Sequence, residues 1–210
     1  PMTPITPITP ITPITTDLTF FTNEPGATLL DRFKRTLKDV QYFDVLVGYF
    51  RTSGFYQLSD ALERVDHIRI LVGLTVDQKV FEGIEIAQAQ MNLDFESHKR
   101  TKDLITAQVA TEITEAQDSW ETERGVQKFI EFIRSGKLEI KAYPSANLHA
   151  KVYISRFSED DRDVGRVITG SSNFSWSGLV GNREFNVELK NSADVTFALD
   201  QFEALWADAV

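Results

Sequence analysis

A chain of 210 residues has room for one domain with an appendage and excludes two full catalytic domains. Its hydrophobic content of 42%, with 15 Phe, supports a sizeable core and excludes wholesale disorder. A net charge of −9 excludes attraction of the whole surface to a polyanion and leaves only a local basic cleft for that purpose. Cysteine is absent, so there is no disulfide framework, thiolate nucleophile or cysteine metal site. No run approaches the ~20 apolar residues that a membrane-spanning helix needs, so a soluble, cytoplasmic protein without a membrane partner is expected.

Residues 1–17 hold four copies of Thr-Pro-Ile, from Thr3 to Ile14. Proline at every third position fixes φ and removes backbone donors, so this tail is expected to be polyproline II or disordered, with the folded domain occupying residues 18–210. Pro1 stands ahead of Met2 as a cleaved expression tag would leave it, so the natural chain is expected to begin at Met2. The amphipathic run Phe197 to Trp206 near the other end leaves room for a longer protein.

After the Pro25-Gly26 turn, Leu29, Leu30, Phe33 and Leu37 fall at helical spacing, which predicts a helix over about 26–39. Tyr42 to Phe50 reads as a buried strand, Ser53 to Arg64 as a helix, and His67 to Val72 as a second strand ending at Gly73. This β-α-β order predicts parallel pairing across a helix. From Asp77 to Ser135 the chain turns rich in Glu, Gln, Lys and Ala with apolar residues at threes and fours, which predicts two or three helices. Leu138 to Tyr143, Leu148 to Phe157, Val164 to Thr169 and Glu184 to Leu189 read as strands, and Val195 to Trp206 as a closing helix. The fold class is therefore α/β, a mixed β-sheet flanked by helices.

The residues that can carry chemistry lie between Asn147 and Glu188. In a strand over Leu148 to Ile154, His149, Lys151 and Tyr153 share one face and look outward, while Ala150, Val152 and Ile154 pack. His149 and Lys151 then stand about 6.5–7 Å apart at Cα, close enough to touch one phosphate together. The same pair also suits the solvent face of an edge strand. Further on, Thr169 to Gly178 offers hydroxyl, amide and backbone N–H donors at a strand end, which suits an oxyanion and equally suits an ordinary turn. Glu184 is placed either to accept the second ring proton of a histidine or as an exposed carboxylate at a strand start.

The order His149-x-Lys151, then Gly170-Ser171-x-Asn173, then an acidic residue 13 positions after Ser171 resembles the phospholipase D superfamily, in its single-motif nuclease branch. The segment Phe43 to Phe55 is similar to the opening of phospholipase D-like domains attached to DNA helicases and restriction systems. One position departs from the family pattern: Arg156 stands where an Asp five residues after the lysine is usual, which puts the stability of the strand pair in doubt. The resemblance implies that His149 attacks phosphorus and that Lys151 and Asn173 stabilise the charged transition state. It further implies that Glu184 orients His149 and that Ser171 and Ser172 bind substrate. No metal or other cofactor is implied. A second imidazole must protonate the leaving group, and the chain has only His67 and His98 besides His149, so a homodimer with a composite active site is expected. The expected function is a metal-independent DNA endonuclease coupled to a helicase or a restriction system. The alternatives are a phospholipase-type phosphodiesterase and a catalytically silent dimerisation or DNA-binding module of a helicase.

Overall fold

The strand Tyr42–Val47 has one residue in six short of full burial, because helices cover both of its faces. It is a central strand of a computed structural model that describes residues 18–73, 103, 106–107, 120–144, 148–161 and 163–210. In chain order the elements are β1 (Leu18–Thr22), α1 (Leu29–Thr36), β2 (Tyr42–Val47), α2 (Thr52–Leu62), β3 (His67–Gly73), α3 (Trp120–Arg134) and β4 (Leu138–Tyr143). They continue with β5 (Lys151–Arg156), β6 (Gly165–Gly170), β7 (Phe185–Leu189) and α4 (Ser192–Asp208). The Thr-Pro-Ile tail and the helices expected between Asp77 and Asp118 fall outside the described residues, apart from three isolated helical positions.

The strands form one sheet in the order β1-β7-β6-β5-β2-β3-β4. β2, β3 and β4 are parallel, as the β-α-β reading requires, and β5, β6, β7 and β1 continue the sheet antiparallel. The result is the expected mixed sheet flanked by helices. One face packs Phe43, Val45, Ile70, Tyr153 and Ile168 against α1, α2 and α3. The other packs Leu46, Leu71, Ile154 and Val167 against Val195 and Phe202 of α4.

Three local expectations change. Helix α1 starts later than the turn at Gly26, because Thr28 and Asp31 form a reciprocal capping box that fixes the first turn, and it runs on into a 3₁₀ turn at Leu37–Asp39. β1 is a strand that the sequence reading did not assign; Leu18–Thr22 is short and gains its place by pairing with β7. Tyr153 does not look outward. β5 is fourth of seven strands, so both its faces are covered, and the Tyr153 ring is fully buried against Phe33.

Arg156 is accommodated by a buried carboxylate on the neighbouring strand. Its Nη2 lies 2.9 Å from Asp44 Oδ2, an ion-pair distance without hydrogen-bond alignment, and Arg69 Nε donates to Asp44 Oδ1 at 2.6 Å. Arg69 also donates to both carboxylate oxygens of Glu203 in α4. One acidic residue on β2 therefore ties β5, β3 and, through Arg69, α4. Asp44 is only 1% exposed, so its removal leaves Arg156 without its carboxylate and Arg69 with Glu203 alone, in a region of low dielectric. We expect Asp44→Asn to lose about 3–4 kcal/mol, which a thermal melt reads as a drop on the order of 10 °C. The Arg69 hydrogen bond holds the Glu203 carboxyl below its usual range. Its stabilisation is present above the unfolded pKa of about 4.3 and fades as pH falls through the lower folded value. The melting temperature of Glu203→Gln should therefore fall less steeply below about pH 4 than that of the parent protein.

Candidate active site

The strand directions bring several chain ends to one edge of the sheet. β2 and β3 end there at Val47 and Gly73, β5 begins at Lys151 opposite Val47, β6 ends at Gly170, and β7 begins at Phe185. Ligands of open α/β sheets collect at the carboxyl ends of parallel strands, and His149, Lys151 and the Gly170 to Asn173 turn all lie at that edge.

His149 is held there by backbone packing. Gly48 N donates to Ala150 O at 2.8 Å, and a Cβ on Gly48 would stand 3.3 Å from His149 Cα. A Cβ on Gly73 would collide with the Leu148 carbonyl. Both strand-terminal glycines thus make room for the Leu148–His149 backbone. The His149 side chain is exposed, and among the described residues nothing hydrogen-bonds it. Lys151 is half-buried and has no ion-pair partner among the described residues. Thr169 Oγ1 donates to the Lys151 carbonyl at 2.9 Å and fastens this end of β5 to β6.

The turn after β6 is tied from both sides. At Gly170 a Cβ would strike the Phe185 carbonyl and Asn186, so only glycine lets the turn close on β7. Ser171 N then donates to Phe185 O at 3.1 Å, and Phe185 N donates to Ser171 Oγ at 3.0 Å. Ser171 Oγ in turn hydrogen-bonds Glu184 Oε2, and Asn182 Nδ2 donates to Glu184 Oε1 at 3.2 Å. Glu184 was expected to orient His149; among the described residues its carboxylate engages Ser171 and Asn182 instead.

Ser172, expected beside substrate, faces inward. It is 1% exposed, its hydroxyl accepts from Asn186 Nδ2 at 2.9 Å, and its carbonyl accepts from the Tyr153 hydroxyl at 2.8 Å. It braces the turn and leaves the neighbouring Ser171 exposed. Asn173 is half-buried, and its Oδ1 has no hydrogen-bond partner among the described residues. The sequence reading gives Asn186 no role and takes Tyr153 only as the third member of an outward face, not as a buried brace. The period-two pattern that carries His149 and Lys151 also carries Tyr153, and this was the available signal.

Beyond Asn173, Phe174 stacks on Phe50 at 5.6 Å, and Arg51 N donates to Phe174 O at 2.9 Å. The chain then makes a single wide π-type turn, Ser177–Gly181, closed by Asn182 N donating to Ser177 O. Such turns recur near functional sites.

The other candidate imidazole is remote. His67 starts β3 at the opposite edge, where its Nε2 lies 2.6 Å from Glu139 Oε1, and six residue rises of ~3.3 Å put it about 20 Å from Gly73. His98 lies outside the described residues. No group of three or more His, Asp or Glu side chains suited to a metal ion occurs among the described residues.

A seven-stranded mixed sheet flanked by helices, with His149, Lys151 and the Gly170 to Asn173 turn at one end, is the architecture of a phospholipase D-like domain. The chain belongs to the family described as cardiolipin synthase, PLD-like domain, whose model matches residues 33–206. No curated protein sequence matches it. Among solved structures it is similar to NucT from Helicobacter pylori, with a TM-score of 0.50 and 10% identity, covering 92% of this chain and 97% of that one. It is also similar to the phosphatidylserine synthase of Haemophilus influenzae Rd KW20, with a TM-score of 0.51, 13% identity, and coverage of 92% and 39%. The polyphosphate kinase of Porphyromonas gingivalis matches with a TM-score of 0.51, 14% identity, and coverage of 91% and 26%. Identities this low show a shared fold.

The brace at Ser172 gives a testable consequence. Burial, with the nearby Glu184 charge as a lesser cause, pushes the Tyr153 phenol well above its usual pKa, so it stays a neutral donor. Tyr153→Phe leaves the Ser172 carbonyl without that donor and should cost about 1–3 kcal/mol of stability, read by denaturant titration.

Proposed function

We propose that the protein is a metal-independent phosphodiesterase that cuts DNA through a phosphohistidine intermediate. The observation that supports it best is the pairing, at one sheet edge, of an exposed imidazole with a half-buried ammonium that has no ion-pair partner among the described residues. An ammonium in that position without a carboxylate suits an anionic ligand.

In the proposed reaction a His149 ring nitrogen attacks phosphorus, and a P–N bond forms as the P–O bond to the leaving group breaks. Lys151 and Asn173 meet the non-bridging oxygens, where charge develops in the five-coordinate transition state. A second imidazole gives its proton to the leaving oxygen, then takes one from the water that hydrolyses the P–N bond. The net change is one water added across one phosphodiester. Ser171 supports this site by holding the Glu184 carboxylate beside the turn, together with Asn182.

His67 is too distant to be the second imidazole and His98 lies outside the described residues; we assign that role to His149 of a twofold-related copy, giving one composite site per homodimer. The surplus of acidic residues disfavours independent capture of DNA and suits delivery by a helicase or by the recognition part of a restriction system.

Plasmid nicking should persist in EDTA and fall about 10⁴-fold or more in His149→Ala, with a loss of about 10²–10³-fold in Lys151→Ala. Complete loss of nicking in EDTA contradicts the metal-independent route. Mixing inactive His149→Ala into the parent protein should lower activity as the square of the parent fraction. A linear fall would show that each subunit works alone.

A further inference from the structure

We infer that Trp176 is a stacking platform for an unpaired base beside the cut phosphodiester, which makes the substrate strand single-stranded at the site. This rests on the phosphodiesterase reading above and adds the form of the substrate.

Trp176 is 51% exposed, the only one of the described large hydrophobics of the Gly170 to Gly181 turn region left so open. Its indole is nonetheless seated. A Cβ on Gly181 would collide with ring atom Cζ3 and stand 3.0 Å from Cε3 and Cη2, so the ring occupies the space that any other residue's side chain would need. Its backbone N donates to Ser53 Oγ at 3.3 Å. A rigid indole with on the order of 100 Å² in water is pre-organised for a flat partner.

Its neighbours suit a nucleotide. Trp176 follows Asn173 by three residues, which reach at most about 10 Å of chain, so a base on the indole is near a phosphate held at Asn173. Arg51, fixed to Phe174 through the Arg51 N to Phe174 O bond, brings an exposed guanidinium that hydrogen-bonds the Tyr49 hydroxyl and lies 5.1 Å from the centre of its ring. Arg183 is exposed and makes no ion pair among the described residues. Aromatic rings set among cations take single-stranded nucleic acid with little sequence preference, because every base has a π-face. A base inside a duplex has both faces covered and is excluded.

The test uses the whole protein and three 10-nucleotide probes: oligothymidylate, an abasic strand with the same phosphates, and a blunt duplex. Affinity is read by anisotropy of labelled probes and by tryptophan quenching. The parent protein should bind oligothymidylate about 10-fold more tightly than the abasic strand, with quenching absent for the duplex. Trp176→Ala should lose that discrimination, and Trp176→Phe should keep part of it. Equal affinity of the parent for both strands, no binding of either, or discrimination that survives Trp176→Ala overturns the inference. Should the alanine variant fail to fold, the parent's quenching and the phenylalanine variant decide. Discrimination that survives while sedimentation shows subunit dissociation of Trp176→Ala assigns the ring to a protein contact instead. Turnover of bis(4-nitrophenyl) phosphate by the parent tests the phosphodiesterase reading separately, since that compound has no base to stack.

Discussion

A buried serine ties the site together. The Tyr153 hydroxyl reaches the Ser172 carbonyl from β5, and Asn186 reaches its hydroxyl from β7. The strand that carries His149 and Lys151, the turn that carries Ser171 and Asn173, and the strand that follows Glu184 thus meet at one residue. Every member is buried, so each polar group depends on the others for a partner, and misplacing one leaves the rest unsatisfied. This constraint explains how His149, Lys151 and Asn173 are held in place although their side chains have few partners among the described residues. The strength lies one layer below them.

The opposite face of the sheet uses a similar device with full charges. Asp44 receives Arg69 and Arg156, and Arg69 passes the connection to α4 through Glu203. Arg156 stands where the family resemblance leads one to expect Asp, and the register sets Tyr42 opposite Arg156 and Asp44 one pleat further on. The anion is thus supplied by β2 and the cation by β5. A departure that looks like a lost carboxylate in the motif is, in three dimensions, a buried pair with the acid on the neighbouring strand. It carries no information about whether the far edge of the sheet is catalytic, because the two lie at opposite ends of β5.

Much of this fold was legible. Alternation and apolar runs located β2 to β7, and amphipathic spacing located α1, α2 and α4. Helix and strand ends were less legible because they depend on partners distant in sequence: β1 exists by pairing with β7, and β5 starts at Lys151 where pairing with Val47 begins. Period-two reasoning placed His149 and Lys151 on one face but assumed that face was uniformly wet. In a central strand the same face passes from solvent at His149 to full burial at Tyr153 within four residues, and only sheet order reveals that gradient. The Gly-Ser-x-Asn spacing located the turn, yet it did not separate Ser171, which faces out, from Ser172, which faces in. That distinction comes from Asn186, a residue 14 positions away.

The acidic chain and its proposed polyanionic substrate are reconciled by distance. Interactions between exposed charges separated by more than about 8 Å are largely screened at physiological ionic strength. A net charge of −9 spread over the whole surface therefore matters less at the site than the groups nearest to it. Those include Lys151 at the sheet edge, Arg51 beside the Phe174 backbone and Arg183 next to Glu184, while Glu184 is itself engaged by Ser171 and Asn182. At low ionic strength, where screening is weaker, the distributed negative charge slows encounter with free DNA without weakening a strand already seated. Such a balance favours substrate that arrives tethered over substrate met by diffusion, and it makes association strongly dependent on salt while leaving the chemical step nearly insensitive to it.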